Sequence, residues 1–304
     1  MIKYIKNRDL DRERWNECIR NAAHPLIYAE DWYLDIVAKQ WDALILEDYE
    51  AVMPITWNKK LGFYYMYQPY FMQQGGIFGK KQENGHLVKV FLQKIPSRFK
   101  LVEISLNESN GLNAKGFRAK ISKNYVLHLN KPYPEILDGY SPSHKRSVDK
   151  GRKARLTATR EVDHKKMLRY LQDLMRDKVK KIGTKELKIQ QRLIETAIAK
   201  GWGYWIAAID ENNSYNAGIF LLEKHNRLIN LFTFTAGPGR EHGAMHFLMD
   251  RVMQQCAGSN LVYDFEGSDI HSIAKFYKSF GAIPNEYLRI RKNNLPGIVK
   301  WMKQ

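Results

Sequence analysis

The chain has 304 residues, 44% hydrophobic and 12% aromatic, which is enough for more than one packed core and far from a disordered composition. Lysine and arginine outnumber aspartate and glutamate 49 to 32, a formal charge of +17 that favours anionic partners such as nucleic acid, nucleotide-like cofactors or a membrane surface. No apolar run reaches the ~18 residues needed to cross a bilayer, no apolar segment follows the charged start, and two distant cysteines, Cys18 and Cys256, exclude a disulfide framework and a cysteine-built zinc site, so a cytoplasmic protein is expected.

In chain order, Tyr4–Ile5 reads as a short edge strand and 11–22 as a helix. A second helix runs over Trp32–Ala38 after the start signal Glu30-Asp31. Leu44–Leu46 and Ala51–Ile55, separated by Glu47-Asp48-Tyr49-Glu50, read as a hairpin that returns through Phe63–Met66. After the glycine-bearing stretch Gln73-Gln74-Gly75-Gly76, a helix is predicted at His86–Gln93, then strands at Leu101–Ser105 and Tyr125–Leu129.

The second half follows a similar order. Helices are expected over Lys165–Lys180 and Lys185–Ala199, then strands at Gly203–Ile209, Asn216–Glu223 and Leu228–Phe234. The turn Gly237-Pro238-Gly239 leads into a helix at Glu241–Ala257, followed by a strand at Leu261–Phe265, a short helix at Ile270–Ser279 and a last strand at Glu286–Arg291. Each half therefore reads helices, antiparallel strands, glycine-containing loop, helix, strand, although residue-level similarity between the halves is negligible. The expectation is two tandem α/β (α+β) lobes, 1–140 and 141–304, each a mixed, mainly antiparallel sheet flanked by helices.

The sharpest local feature is Thr235-Ala236-Gly237-Pro238-Gly239-Arg240-Glu241-His242-Gly243-Ala244-Met245, between a strand and a helix. Glycines allow close backbone approach, and the first amides of a helix have no partner within it. Such a loop suits a pyrophosphate, with Arg240 adding a charge-assisted contact; the alternative is an ordinary strand-to-helix turn. Arg240, Gly243 and Ala244 resemble the Arg-x-x-Gly-x-small coenzyme A motif of the GNAT acetyltransferases, with Met245 where that family usually has Gly or Ala. Tyr263-Asp264-Phe265-Glu266-Gly267-Ser268 and Ile273–Ala282 resemble the end of FemAB-type proteins, in which a strand with an acidic end precedes a helix closing in Phe-Lys-x-x-Phe-Gly. Here Tyr277 stands at the first lysine position, and Lys278 follows it. The segment Ser143–Ala154 resembles that family's basic helix through Lys145, Arg146, Lys150, Lys153 and Ala154.

The resemblance covers roughly 141–291 and implies a two-lobed acyltransferase of the FemAB-like and GNAT type in a bacterial-type cytoplasm. It implies no tightly bound cofactor, with acyl-CoA or aminoacyl-tRNA as co-substrate and an amine acceptor such as a cell-wall precursor. Gly239, Arg240, Gly243 and Ala244 become the candidate donor-binding residues. FemAB-type proteins commonly carry a long coiled-coil insertion; this chain shows only the two helices at 165–199.

Acyl transfer to an amine needs a proton acceptor, donors for the oxyanion and alignment of both reactants. If the strand Leu261–Phe265 alternates, Val262, Asp264 and Glu266 share a face, which makes the two acids candidate bases. The plainer reading pairs Asp264 with a neighbouring cation and uses Ser268 or Asp269 as a helix cap. Lys278 is a candidate for stabilising negative charge or gripping phosphate, against a solvated helical lysine. Residues 141–181 hold fourteen Lys or Arg against five acids, and Arg146, Lys150 and Lys153 share a helical face, fit for phosphates or simply for solvent. This patch is also the basis for an alternative, a catalytically silent two-lobed protein that binds RNA or another polyanion.

The aromatic run Phe63–Phe71 reads first as core and otherwise as the wall of a cleft. In the second case Tyr67, Gln73 and Gln74 would touch substrate, with Trp202, Tyr204 and Trp205 opposite. The nine histidines show no metal spacing beyond His242 and His246, so no metal is expected.

Overall fold

The computed structural model describes residues 1–80, 85–111, 114, 116–178, 182–267 and 269–297. In chain order its elements are β1 (Ile2–Ile5), α1 (Arg12–Arg20), α2 (Asp31–Val37), β2 (Gln40–Leu46), β3 (Ala51–Lys60), β4 (Phe63–Tyr67), β5 (Phe78–Gly79), α3 (Gly85–Gln93), β6 (Phe99–Ser105), β7 (Arg118–His128), α4 (Tyr133–Asp138), α5 (Pro142–Lys153), β8 (Thr157–Thr159), α6 (His164–Lys178), α7 (Thr184–Ala199), β9 (Gly203–Ile209), β10 (Tyr215–Lys224), β11 (Arg227–Thr235), α8 (Ala244–Cys256), β12 (Val262–Asp264), α9 (His271–Lys278) and β13 (Ile283–Asn293). Local chemistry explains several boundaries. Asp11 caps α1 by accepting from the Arg14 amide, and Ser141 caps α5 by accepting from His144, with Pro142 at the first helical position. The helix expected from Glu241 starts three residues later, because Gly237–Arg240 forms a 3-10 turn and Gly243 adopts φ 65°.

The chain forms two compact units. One comprises Met1–Lys123 and the chain from Asn285 onward; the other is Asn124–Pro284. These bounds do not coincide with the 1–140 and 141–304 division expected from element order. In the first unit the strands run β1-β2-β3-β4-β6-β13, then the first half of β7; in the second they run from the rest of β7 through β12-β11-β10-β9 to β8. Each is a mixed, mainly antiparallel sheet with helices.

The two units share a plan. In the first, the antiparallel strands β2, β3 and β4 lead through α3 to β6, which lies parallel to β4 with Met66 opposite Val102. In the second, β9, β10 and β11 lead through α8 to β12, parallel to β11 with Leu228 opposite Tyr263. The final strand of each is exchanged: β7 follows β6 in the chain yet pairs with β12, whereas β13 follows β12 and pairs with β6. This exchange returns the chain from Asn285 to the first unit.

The first core gathers Leu44, Met53, Ile55, Met66, Phe91, Val102 and Ile290. The second places Ile206, Ile219, Leu221 and Tyr263 of the sheet against Val148 of α5 and Phe247, Leu248 and Val252 of α8. Polar groups finish the loop after β4. The buried Asn110 side chain accepts from the Ile77 amide at 2.8 Å and donates to the Ile77 carbonyl at 2.8 Å, so it acts as a strand partner for that residue. Replacing Asn110 by Ala leaves the Ile77 N–H buried without an acceptor. That change should cost about 1–3 kcal/mol, read in urea unfolding as a lower midpoint with an unchanged m-value.

Candidate functional site

The second unit brings together two segments that lie about ninety residues apart in sequence, the basic helix α5 and the loop entering α8. The contact is made by backbone. A Cβ at Gly243 would lie 2.3 Å from the Ser147 carbonyl oxygen and 3.6 Å from the Lys150 Cβ. With φ 65° as well, only glycine fits there. Gly239 is tight for a comparable reason, since a Cβ would lie 2.1 Å from the Asn216 carbonyl oxygen. His242 Nδ1 stands 3.2 Å from Asn216 Oδ1, and the Asn216 amide donates to Asp210 at 3.1 Å, which fastens the loop to the turn between β9 and β10. Both glycines are thus demanded by the protein's own packing.

The amides of Ala244, Met245 and His246 find no acceptor among the described residues, as expected for the start of a helix. Lys150 stands beside them and is close enough to His246 to depress its pKa, an effect second to burial. Arg240, Arg146 and Lys153 are exposed, and none makes an ion pair with a described residue. Arg152, which sequence reasoning missed, anchors the helix. It reaches Asp149 at 3.0 Å and the fully buried Asp250 of α8 at 3.4 Å, while Tyr133 donates to Asp250 at 2.7 Å. The only sequence signal for it was its place in the basic run.

Two histidines lie under this contact. His144 of α5 is buried, its ring 4.8 Å from that of His246 and 3.8 Å from Phe280. Ser279 Oγ donates its single proton to the Phe276 carbonyl at 2.6 Å, so at 3.0 Å it accepts from His144 Nδ1–H. Nε2 then carries the lone pair, and it has no partner among the described residues.

The acidic candidates separate. The ladder between β11 and β12 covers Arg227–Ile229 and Val262–Asp264 alone, although β11 continues to Thr235, so the two strands part beyond Asp264. Asp264 is fully buried and ion-paired with Arg227, and its other oxygen accepts from the Glu266 amide at 2.8 Å. Glu266 lies past the strand end with φ 57°, so it does not share a face with Asp264 by simple alternation. A non-glycine residue held there stores about 1 kcal/mol or more. Burial, then the carboxylates of Glu266 and Asp264, raise the Tyr277 pKa, which places that phenol among them. Lys278 is exposed at the end of α9. The cap position of α9 falls on Ile270, one residue after Asp269; Ser268 lies outside the described residues.

In the first unit, Tyr67 accepts from the Lys39 amide at 2.8 Å, and Gln74 is fully buried, bonded to Gln73 and Glu108. Gln73 lines a cavity of about 730 Å³. Trp205 is core, packed on Phe220 and Phe234; Trp202 lies between Lys200 and Lys224, and Tyr204 under Arg160.

Burial, with a smaller effect from His246, lowers the His144 pKa from its ordinary 6.5 to about 3. The neutral ring's contribution to stability is therefore complete above pH 6.5 and is lost as pH falls from there toward 3. Stability should drop by up to about 1.4 kcal/mol per pH unit for each proton taken up on unfolding. Unfolding midpoints measured from pH 7 to 4 should fall less steeply for His144→Phe than for wild type.

No family model and no curated protein matches the sequence. Among solved structures, FemX superposes with a TM-score of 0.68 at 11% identity, over 99% of this chain and 100% of that one. The C-terminal domain of a putative lysylphosphatidylglycerol synthetase from Agrobacterium fabrum gives 0.55 at 13% identity, covering 96% and 94%. L-PGS from Bacillus licheniformis gives 0.57 at 10% identity, covering 96% and 95%. At these identities the likeness is one of fold alone: the chain has the fold of FemX and of these lysylphosphatidylglycerol synthetase domains, in keeping with the FemAB-like fold expected from the C-terminal segment.

Proposed function

We propose that the chain is an N-acyltransferase that moves an acyl or aminoacyl group from acyl-CoA or aminoacyl-tRNA to an amine acceptor. The observation that carries this reading is the seating of α5 on the start of α8, which sets Lys150 beside the acceptor-free amides of Ala244–His246. A helix N-terminus and a lysine together suit a donor phosphate, with Arg240 and Arg146 able to reach it from exposed positions. FemX and the lysylphosphatidylglycerol synthetases, which share the fold, support transfer chemistry in general.

In this reading the acceptor amine attacks the donor carbonyl where β11 and β12 part. A C–N bond forms, and the C–S bond of a thioester or the C–O bond of an aminoacyl ester breaks. Glu266 takes the amine proton, which passes on to the leaving thiolate or ribose oxygen. Asp264, committed to Arg227, positions Glu266 through its amide. Lys278 lends positive charge to the leaving group.

Calorimetric titration with coenzyme A and with bulk tRNA at low and moderate salt separates the donors. A salt-tolerant coenzyme A response, weakened about tenfold or more in Lys150→Ala and in Arg240→Ala, is expected for a thioester donor. A steeply salt-dependent tRNA response without coenzyme A binding assigns the ester donor or, if charged tRNA then supports no turnover, a silent polyanion-binding protein. Binding of neither ligand, or binding indifferent to both substitutions, removes the donor site. Once turnover is established, Glu266→Gln should lower kcat on the order of 10²–10⁴-fold with little change in donor affinity.

A further inference from the structure

In the second unit, β11 and β12 run parallel from Arg227 and Val262 as far as Ile229 and Asp264. Asn230 is the first residue of β11 past that point. By then β12 has turned away, since the Phe265 amide donates to the Tyr125 carbonyl of β7 at 3.0 Å. On its other side β11 changes register against β10. Phe232 lies opposite Phe220 and Asn230 opposite Leu221, so Leu231 is an extra residue. A bulge of this kind bends a strand and re-aims the side chains beside it. Leu221 belongs to the core beneath α8, and residues directly opposite in an antiparallel pair share a face, which puts Asn230 on the α8 side of the sheet.

The Asn230 side chain is only 5% exposed, and its Oδ1 is enclosed with no hydrogen-bond partner among the described residues. A buried acceptor left open is costly, and its presence in a folded protein calls for a reason. Packing does not supply one. The run Leu228-Ile229-Asn230-Leu231-Phe232 is otherwise apolar, so an apolar side chain would serve the core better. Elsewhere in this chain a carboxamide shows what such a group can read. Asn110 accepts from the Ile77 amide and donates to the Ile77 carbonyl, both at 2.8 Å, and so recognises a carbonyl and the N–H on the carbon next to it.

We infer that Asn230 selects the acyl group of the donor. Its Oδ1 accepts from an N–H or O–H on the carbon next to the reacting carbonyl, so the transferred group is an α-amino or α-hydroxy acyl group and not a plain alkanoyl group. The inference rests on the donor reading above, which puts the reacting carbonyl where β11 and β12 part. A plain acetyl group leaves Oδ1 open in the bound state as well as in the free one. A site built around a bond to a substrate N–H or O–H rejects the analogue that lacks it, because the buried partner then stays unpaired. Asn230 is a specificity residue in this scheme and moves no proton.

The test is calorimetry of the full chain with stable amide analogues of the donor. Acetyl, hydroxyacetyl and glycyl groups are each carried on amino-coenzyme A, in which NH replaces the sulfur, and on 3′-amino-3′-deoxyadenosine, which stands for the end of a charged tRNA. The proteins are wild type, Asn230→Leu, Asn230→Asp and Lys150→Ala. On the carrier that binds, the hydroxyacetyl or glycyl analogue should bind wild type about tenfold or more tighter than the acetyl analogue. Asn230→Leu should bring that ratio below about twofold, and Asn230→Asp, which keeps an acceptor, should retain a preference for glycyl. Lys150→Ala should weaken the coenzyme A analogues alike and leave their ratio unchanged. Without ligand, Asn230→Leu should melt no lower than wild type, since leucine has the same branching and removes the open acceptor. The tighter analogue names the source, glycyl for an amino acid and hydroxyacetyl for a hydroxy acid. Equal affinity for the three acyl groups, as when water alone satisfies Oδ1, or a preference that survives Asn230→Leu, overturns the assignment and leaves the donor site standing. Failure of every analogue to bind on either carrier overturns both.

Discussion

The candidate donor site rests on one close approach, the Ser147 carbonyl of α5 against Gly243 at the start of α8. Any side chain at residue 243 would push the two helices apart, because the neighbour it meets is backbone and cannot rotate away. Through this contact a helix that looks like a solvated basic surface becomes the flank of a helix N-terminus. Lys150 acquires a place beside open amides, and His144 and His246 are pressed ring to ring in the layer beneath. Gly151 repeats the device one turn later, where a Cβ would lie 2.5 Å from the Phe247 Cβ.

Around this contact the unit spends buried charge on geometry. Arg152 with Asp250 and Arg227 with Asp264 each bury a carboxylate completely. Such pairs contribute little net stability, because desolvation offsets their attraction, yet losing one partner is costly. What they supply here is position. The first pair ties α5 to α8, and the second fixes the point at which β12 stops and Glu266 leaves the strand. The partly satisfied His144, with one nitrogen bonded and the other without a partner among the described residues, belongs to the same group of polar side chains kept for placement.

The first unit solves a comparable problem with amides instead of charges. Gln68, Gln74, Asn107 and Asn110 stitch the chain between β4 and β6 by side chain-to-backbone bonds, which frees its aromatic residues to line a cavity. Because β13 rather than β7 follows β6 in the sheet, cations from two distant parts of the chain meet on that cavity.

The sequence by itself determined most of the element list and the fold class. Alternating and helical hydrophobic patterns, caps such as Asp11 and Ser141, and the turn Gly237-Pro238-Gly239 are local signals, read within a few residues. It also singled out the loop 235–245 and the basic helix as chemical features, though not that they touch. Only the tertiary structure decided the exchange of β7 and β13, since strand partnership depends on which edges are free once all strands are present. It alone showed Asp264 buried against Arg227, because that pair joins strands separated by a whole helix in the chain. It also moved Glu266 off the face that simple alternation assigned, where a left-handed backbone ends the strand's period of two. Residue types and spacing limit what a segment can become. Which side chains meet is settled by long-range packing, and the chemistry of the candidate site lies in those meetings.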